Sequence, residues 1–314
     1  MIDAYAGWIG TVGSKVDLPA SAGDRTHAAD DVSQAFTRLA AVAGTSTCHL
    51  AMSREAVFVP GVWGPYRDVV LPEYWMAEGG QSATGELLRH VIETHPAHSK
   101  LVALAHETGS NIYDTLNQHL SMLAKERKAP FVGHLARHIF FYGDLWGNRS
   151  PIANSSMRGA VVGLDSDVGL DGLALSYYAT MEFIALQTRQ IVDAMNDAGH
   201  ALSSIFMSGS QCMNPVLMDL LATACGMPVV IPEYVASAVV HGAALLGAKA
   251  AEENQGEGMA GLWKIMDRMS RPGKAVLPGT DAKAKALLQA KYDVFLDLCT
   301  RQQEYRAKVD KALA

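Results

Sequence analysis

The chain has 314 residues, 49% of them hydrophobic and 18% charged, with 26 Lys and Arg against 32 Asp and Glu for a formal charge of −6. That length allows one large or two medium domains around a real core and excludes a small stapled scaffold or a disordered chain. The acidic balance lacks the basic footprint that phosphate-backbone binding needs, so no nucleic acid partner is expected.

Cys48, Cys212, Cys225 and Cys299 are far apart with no C-x-x-C pair, which suggests neither a disulfide framework nor a zinc site and suits a reducing cytoplasm. No run approaches the roughly 18–20 apolar residues of a membrane span, and Met1-Ile2-Asp3-Ala4-Tyr5 has no basic lead-in. A cytoplasmic chain with no membrane contact is the expectation, and its abrupt apolar start reads like the middle of something.

Glycine and proline break residues 1–80, with β-prone runs at Cys48–Ser53 and Ala56–Pro60, so strands and loops are expected there. Leu87, Leu88 and Val91 predict a helix over 82–94, and Ile112, Leu116, Leu120 and Leu123 predict another over 111–125. Aromatic and glycine-rich loop fills 131–165, and a long helix is predicted over 172–197. Ser203 to Met207 reads as a strand, Ser208-Gly209-Ser210 as a turn, 214–225 as a helix ended by Gly226, and 228–231 as a second strand. Helices are predicted over 236–253 and 281–311. The order from 203 onward is a βαβα unit, whose ligand site would lie at the strand ends.

Several short segments could carry chemistry. Gly44-Thr45-Ser46-Thr47 follows an apolar, helix-like run and opens a strand; its small residues can bring N–H groups and hydroxyls close to an anion, or form a plain turn. Glu78-Gly79-Gly80-Gln81-Ser82 precedes a helix whose free N–H groups attract negative charge, with Ser82 as an ordinary N-cap in the simpler reading. Ser208 to Asn214 occupies a βα loop where open α/β sheets bind nucleotides. Asp3, flanked by apolar residues, is a carboxylate able to accept a hydroxyl proton or a simple surface cap. His134 and His138 have i, i+4 spacing but no apparent third ligand, so no metal site is assigned to the chain itself.

Together these segments resemble the FGGY family of carbohydrate kinases. Asp3-Ala4-Tyr5-Ala6-Gly7 is similar to the segment bearing the catalytic base, Gly44-Thr45-Ser46 to the phosphate-contacting loop, and Gly80 with Thr84 to the next nucleotide-contacting turn. Gly147-Asn148-Arg149-Ser150-Pro151 and Arg158-Gly159 through Leu164 resemble the most specific pair of family motifs. Gly209, Ser210 and Asn214 stand where the family borders adenosine, with Ser210 in place of a second glycine, and Gly226-Met227-Pro228-Val229 resembles the motif behind them.

The ribulokinase-like pentulose kinases are the most similar branch, and glycerol kinase is less so. The resemblance implies an α/β, actin-like (ribonuclease H-like) ATPase lobe, with a mixed sheet flanked by helices and preceded by the tail of a first lobe. Residues 1–30 would end that first lobe and 31–314 would form the nucleotide-binding lobe, the family's D-x-G-T loop and most sugar contacts lying upstream. It further implies ATP and Mg2+, a pentulose or related polyol as acceptor, and Asp3 as catalytic base. A homodimer or a complementary first lobe is the expected protein partner. The alternative is an isolated nucleotide-binding lobe or split-enzyme subunit without kinase activity of its own.

Overall fold

The computed structural model describes residues 2–16, 32–252 and 258–313. The chain opens with a helix where strands and loops were expected: α1 (Asp3–Val12) buries Tyr5, Trp8, Ile9 and Val12. Its glycines are not breaks. A β-carbon on Gly10 would stand 2.0 Å from the Ala238 carbonyl oxygen, so this helix is stripped of side chains where it crosses another backbone. The boundary placed between residues 30 and 31 lies outside the described residues.

The run before Gly44 is a strand, not a helix. In β1 (Arg38–Ala43), Leu39, Ala41 and Ala43 enter one core while Ala40 enters the other, the alternation of a strand covered on both faces. β2 (Thr47–Ser53) returns antiparallel, and β3 (Trp63–Arg67) and β4 (Trp75–Gln81) extend the sheet. The β-prone run at Ala56–Pro60 joins no strand. Then come α2 (Gly85–Thr94), α3 (His98–Glu107) and α4 (Ile112–Glu126). α3 was not expected; its apolar face is short, with Leu101 and Ala105 buried.

β5 (Phe140–Tyr142) and β6 (Ala160–Val162) form a two-stranded ribbon inside the aromatic segment. Between α4 and β5, Val132–His134 is a single 3-10 turn, so His134 and His138 share no helix face. α5 (Leu170–Asp197), β7 (Ser204–Ser208), α6 (Pro215–Cys225), β8 (Val229–Ile231) and α7 (Ala238–Ala251) follow as the βαβα pattern predicts. α8 (Gly258–Met269), β9 (Lys274–Val276) and α9 (Ala282–Leu313) complete the described chain.

The main sheet has the order β3-β4-β2-β1-β7-β8-β9, with β1, β7 and β8 parallel and the remaining pairs antiparallel. One face packs on the core that includes α2, α4, α5, α6 and α9; the other packs on α1, α7 and α8. On the first face, Lys291 of α9 is buried against Glu182 of α5 and donates to the Ala136 carbonyl at 2.7 Å.

His49 of β2 is fully buried, and neither of its ring nitrogens has a hydrogen-bond partner. Burial pushes its imidazole from 6.5 down to about 3, so the folded chain keeps it neutral while an unfolded chain protonates it below pH 6.5. Acid therefore favours unfolding; at pH 5 this one group should remove about 2 kcal/mol relative to pH 8. Urea denaturation of His49→Leu at both pH values should show that loss abolished.

Candidate functional site

The loops that matter gather at the carboxyl ends of the parallel strands β1 and β7. Gly44, Thr45 and Ser46 form the tight turn from β1 into β2, closed by the Gly44 N–H donating to the Ser46 carbonyl at 2.9 Å. The start of α2 docks onto this turn. Thr84 and Glu86 N–H groups donate to the Thr45 carbonyl at 3.0 and 3.2 Å, and the Gly85 N–H donates to the Gly44 carbonyl at 3.3 Å. The helix begins after Thr84, so Ser82 is not its N-cap; the Ser82 hydroxyl instead donates to the Gly147 carbonyl at 2.7 Å.

From β7 the chain turns through Gly209, whose φ of 93° lies in the left-handed region that favours glycine. A β-carbon there would also stand 2.0 Å from the Ala43 carbonyl oxygen, so the loop can sit against β1 only because none is present. The turn Ser210–Met213 follows, and Asn214 caps α6 by accepting from the Leu217 N–H. The Asn214 amide donates to the Tyr177 hydroxyl at 2.5 Å, and Asn117 donates to the Asn214 carbonyl oxygen at 3.1 Å. Burial pushes the Tyr177 hydroxyl far above its ordinary range, so it stays a neutral partner.

Between these loops opens a cleft of about 350 Å³, bordered by Gly85 and Leu88 on one side, Asn111, Tyr113 and Asp114 from the start of α4, and Ser210, Asn214 and Leu217 on the other. Gln211 also lines it and ties the loops together, donating to the Gly44 carbonyl at 2.8 Å and to the Thr84 hydroxyl at 2.7 Å. Loss of the Asn214 cap and its buried amide bond in Asn214→Ala should cost about 1–2 kcal/mol in urea denaturation.

Asp3 approaches from the opposite face of the sheet. α1 runs antiparallel to β1: the Arg38 guanidinium donates to the Val12 carbonyl at 2.7 Å, and Gly7 lies over Val42. Asp3 thus arrives at the same sheet end as Gly44. It is exposed, and its carboxylate accepts from the Ala4 N–H at 2.8 Å.

Gly80 does not line this cleft. It pairs with Cys48 in the β2–β4 ladder, and the Arg149 side chain lies over it, with a guanidinium nitrogen 3.2 Å from where a β-carbon would be. This marks a second polar group that the sequence reading did not single out. Arg149 lies 4.5 Å from the Trp63 ring centroid, 3.9 Å from the Glu78 carboxylate and 3.7 Å from the Cys48 sulfur. Burial, aided by the Glu78 carboxylate, pushes the Tyr5 hydroxyl up to about 12. Burial also raises the Cys48 thiol, against the pull of Arg149 and with a smaller push from Asp3.

Arg149, Glu78 and Tyr5 all lie inside motifs already quoted for their neighbours; only the fold shows that they meet. Gln211, Tyr177 and Asn117 were likewise missed, and only Gln211 had a signal, its place in the βα loop. Among the described residues no group of three or more His, Cys, Asp or Glu is arranged to hold a metal ion. Among them too, no helix is long and apolar enough to cross a membrane.

A mixed sheet flanked by helices on both faces, with loops converging at its parallel strand ends, is the actin-like ATPase fold of sugar-kinase C-terminal domains. It superposes on a xylulose kinase from Rhodospirillum rubrum with a TM-score of 0.65 at 21% identity, over 96% of this chain and 51% of that one. A ligand-bound xylulose kinase from Lactobacillus acidophilus gives 0.66 at 17% identity, over 97% and 51%.

Residues 39–251 match the FGGY family of carbohydrate kinases, C-terminal domain, and the chain belongs to that family. It is 50% identical over 254 residues to a D-ribulokinase of Saccharomyces cerevisiae, covering 81% of this chain and 36% of that protein. It is 41% identical over 308 residues to the human FGGY carbohydrate kinase domain-containing protein, covering 98% and 52%. The chain thus spans about half the length, or less, of these relatives.

Proposed function

We propose that the chain supplies the nucleotide-binding lobe and the catalytic base of an ATP-dependent kinase acting on a pentulose, with ribulose the first candidate. The observation that carries this reading is one cleft lined by the start of α2 and the Ser210–Asn214 loop, with the Gly44 turn bonded behind both and Asp3 at the same end of the sheet. The 50% identity to a protein named D-ribulokinase supports the acceptor class.

In this reading Gly209, Ser210 and Asn214 border the adenosine. Thr45 and Ser46 face the phosphates, with Gly80 marking the neighbouring wall. Asp3 takes the proton from the acceptor hydroxyl as its oxygen attacks the γ-phosphorus and the bond to ADP breaks. Glu78, Arg149 and Tyr5 lie beside it as polar groups for a polyol. Mg2+ bound to ATP would offset phosphate charge in such a reaction, but no cluster of acidic residues described in the chain fits a resident metal. Residues 1–30 are proposed as the end of a first lobe and 31–314 as the nucleotide lobe.

Calorimetric titration with ATP and a ribulose-dependent ADP-release assay test the proposal. Both are run on the purified chain alone and on a chimera joining it to the part of the yeast relative that it does not match. ATP binding with acceptor-dependent ADP release in the chimera supports the kinase; absence of ATP binding rejects it. A second reading, a binding lobe or split subunit inactive alone, is favoured by the chain's share of its relatives' length. It predicts ATP binding by the isolated chain without ADP release, with light scattering showing whether it pairs with a separate first lobe or with itself.

A further inference from the structure

We infer that Gln211 is a positioning residue that sets the distance between the phosphate side and the adenosine side of the cleft; this rests on the nucleotide reading above. Its side chain is 7% exposed and reaches across two chain crossings, to residues 167 and 127 positions away. One amide hydrogen goes to the Gly44 carbonyl and the other to the Thr84 hydroxyl. A carbonyl oxygen only accepts, so the NH2 end must face Gly44 and the orientation of the amide is fixed.

The contact extends one residue further. The Thr84 hydroxyl that accepts from Gln211 also shares a hydrogen bond of 2.8 Å with the Thr47 hydroxyl. One side chain thereby holds the β1–β2 turn, the first turn of α2 and the β7–α6 loop in fixed register. The first turn of α2 and the β7–α6 loop line the cleft, and the β1–β2 turn backs the first turn of α2. None of the other side chains described at this junction bonds to all three. Thr47 reaches only Thr84, and Asn214 bonds to Tyr177 and Asn117, away from Gly44. Gln211 needs no contact with nucleotide to matter; removing it lets the phosphate-side turn drift relative to Asn214.

Gln211→Met keeps length and packing but donates nothing, and Gln211→Glu keeps length but turns a carboxylate oxygen toward the Gly44 carbonyl. Circular dichroism establishes that each variant is folded. Calorimetry should then show ATP binding weakened about tenfold, the effect of losing these two hydrogen bonds in part. Binding of adenosine, which spans only one side, should stay within twofold. Amide hydrogen exchange at Thr84, Gly85 and Glu86 should quicken about tenfold while the β2–β4 ladder is unaltered.

ATP affinity within twofold of the parent, equal weakening of ATP and adenosine, or unaltered exchange at those amides overturns the inference. Failure of the parent chain to bind ATP removes the nucleotide reading and this inference with it. If Gln211→Met does not fold, Gln211→Glu is judged by the same affinities and exchange rates; if neither folds, Gln211 is a core structural residue and the inference is wrong.

Discussion

Asp3→Asn should lower ribulose-dependent ADP release by about 10²–10⁴-fold, the usual contribution of a general base. The assay uses the chimera carrying the unmatched part of the yeast relative, and the amide is chosen because it preserves size while removing proton affinity. ATP affinity should stay within twofold, since Asp3 lies across the sheet from the Gln211 junction and bonds only to its neighbour's N–H. The loss should appear in kcat at saturating ATP. Turnover within threefold of the parent would assign the proton to another group and leave Asp3 as a helix-terminal carboxylate.

Lys291→Met should destabilise the fold by about 3–5 kcal/mol at pH 8, because it strands the Glu182 carboxylate in the core. Lys291 and Glu182 are 3% and 5% exposed, and among the described residues Lys291 is the cation paired with that carboxylate. Burial pushes the Glu182 carboxyl from 4.5 up to about 7, with the Lys291 ammonium holding it below where burial alone would leave it. Without Lys291 that restraint disappears and the carboxyl rises further.

The sign of the pH dependence follows from that rise. Below pH 4.5 the carboxyl is protonated in both folded and unfolded chains, and the variant loses only the Lys291 bonds. From pH 4.5 to about 7 the unfolded chain releases its proton while folded parent and folded variant both hold on and lose stability alike; above about 7 the parent carboxyl ionises beside Lys291 while the variant's does not, and there the deficit widens. Urea denaturation of the variant at pH 5 and pH 8 should therefore show the larger deficit at pH 8. Glu182→Leu with Lys291→Met should recover most of it. A deficit below about 1 kcal/mol, or one independent of pH, would mean that the charge is hydrated rather than buried.

Periodicity sufficed where one physical signal dominated. α5, α6 and α9 have long apolar faces, and Asn214 and Gly226 mark both ends of α6, so the βαβα half was legible almost residue by residue. It failed where two signals competed. Gly7 and Gly10 look like breaks but are the contact surface of α1, and the alanines of β1 suit a helix as well as a strand. The strand state wins because β1 hydrogen-bonds on both edges and is buried on both faces, which no local pattern encodes. The candidate site divided in the same way. Its loops were visible as small-residue segments, whereas Gln211, Arg149 and Glu78 depend on partners up to 167 positions distant.

The crossing of α1 and α7 limits how the helix bearing the candidate base can move. Gly242 mirrors Gly10: a β-carbon on it would stand 1.9 Å from the Ala6 carbonyl oxygen, so two backbones touch with no flexible side chain as a cushion. With Arg38 latched to the far end of the same helix, Asp3 is mounted on an unsprung arm. If Asp3 is the base, an acceptor hydroxyl must therefore be brought to it, because the helix that carries the carboxylate shifts only with the sheet and α7.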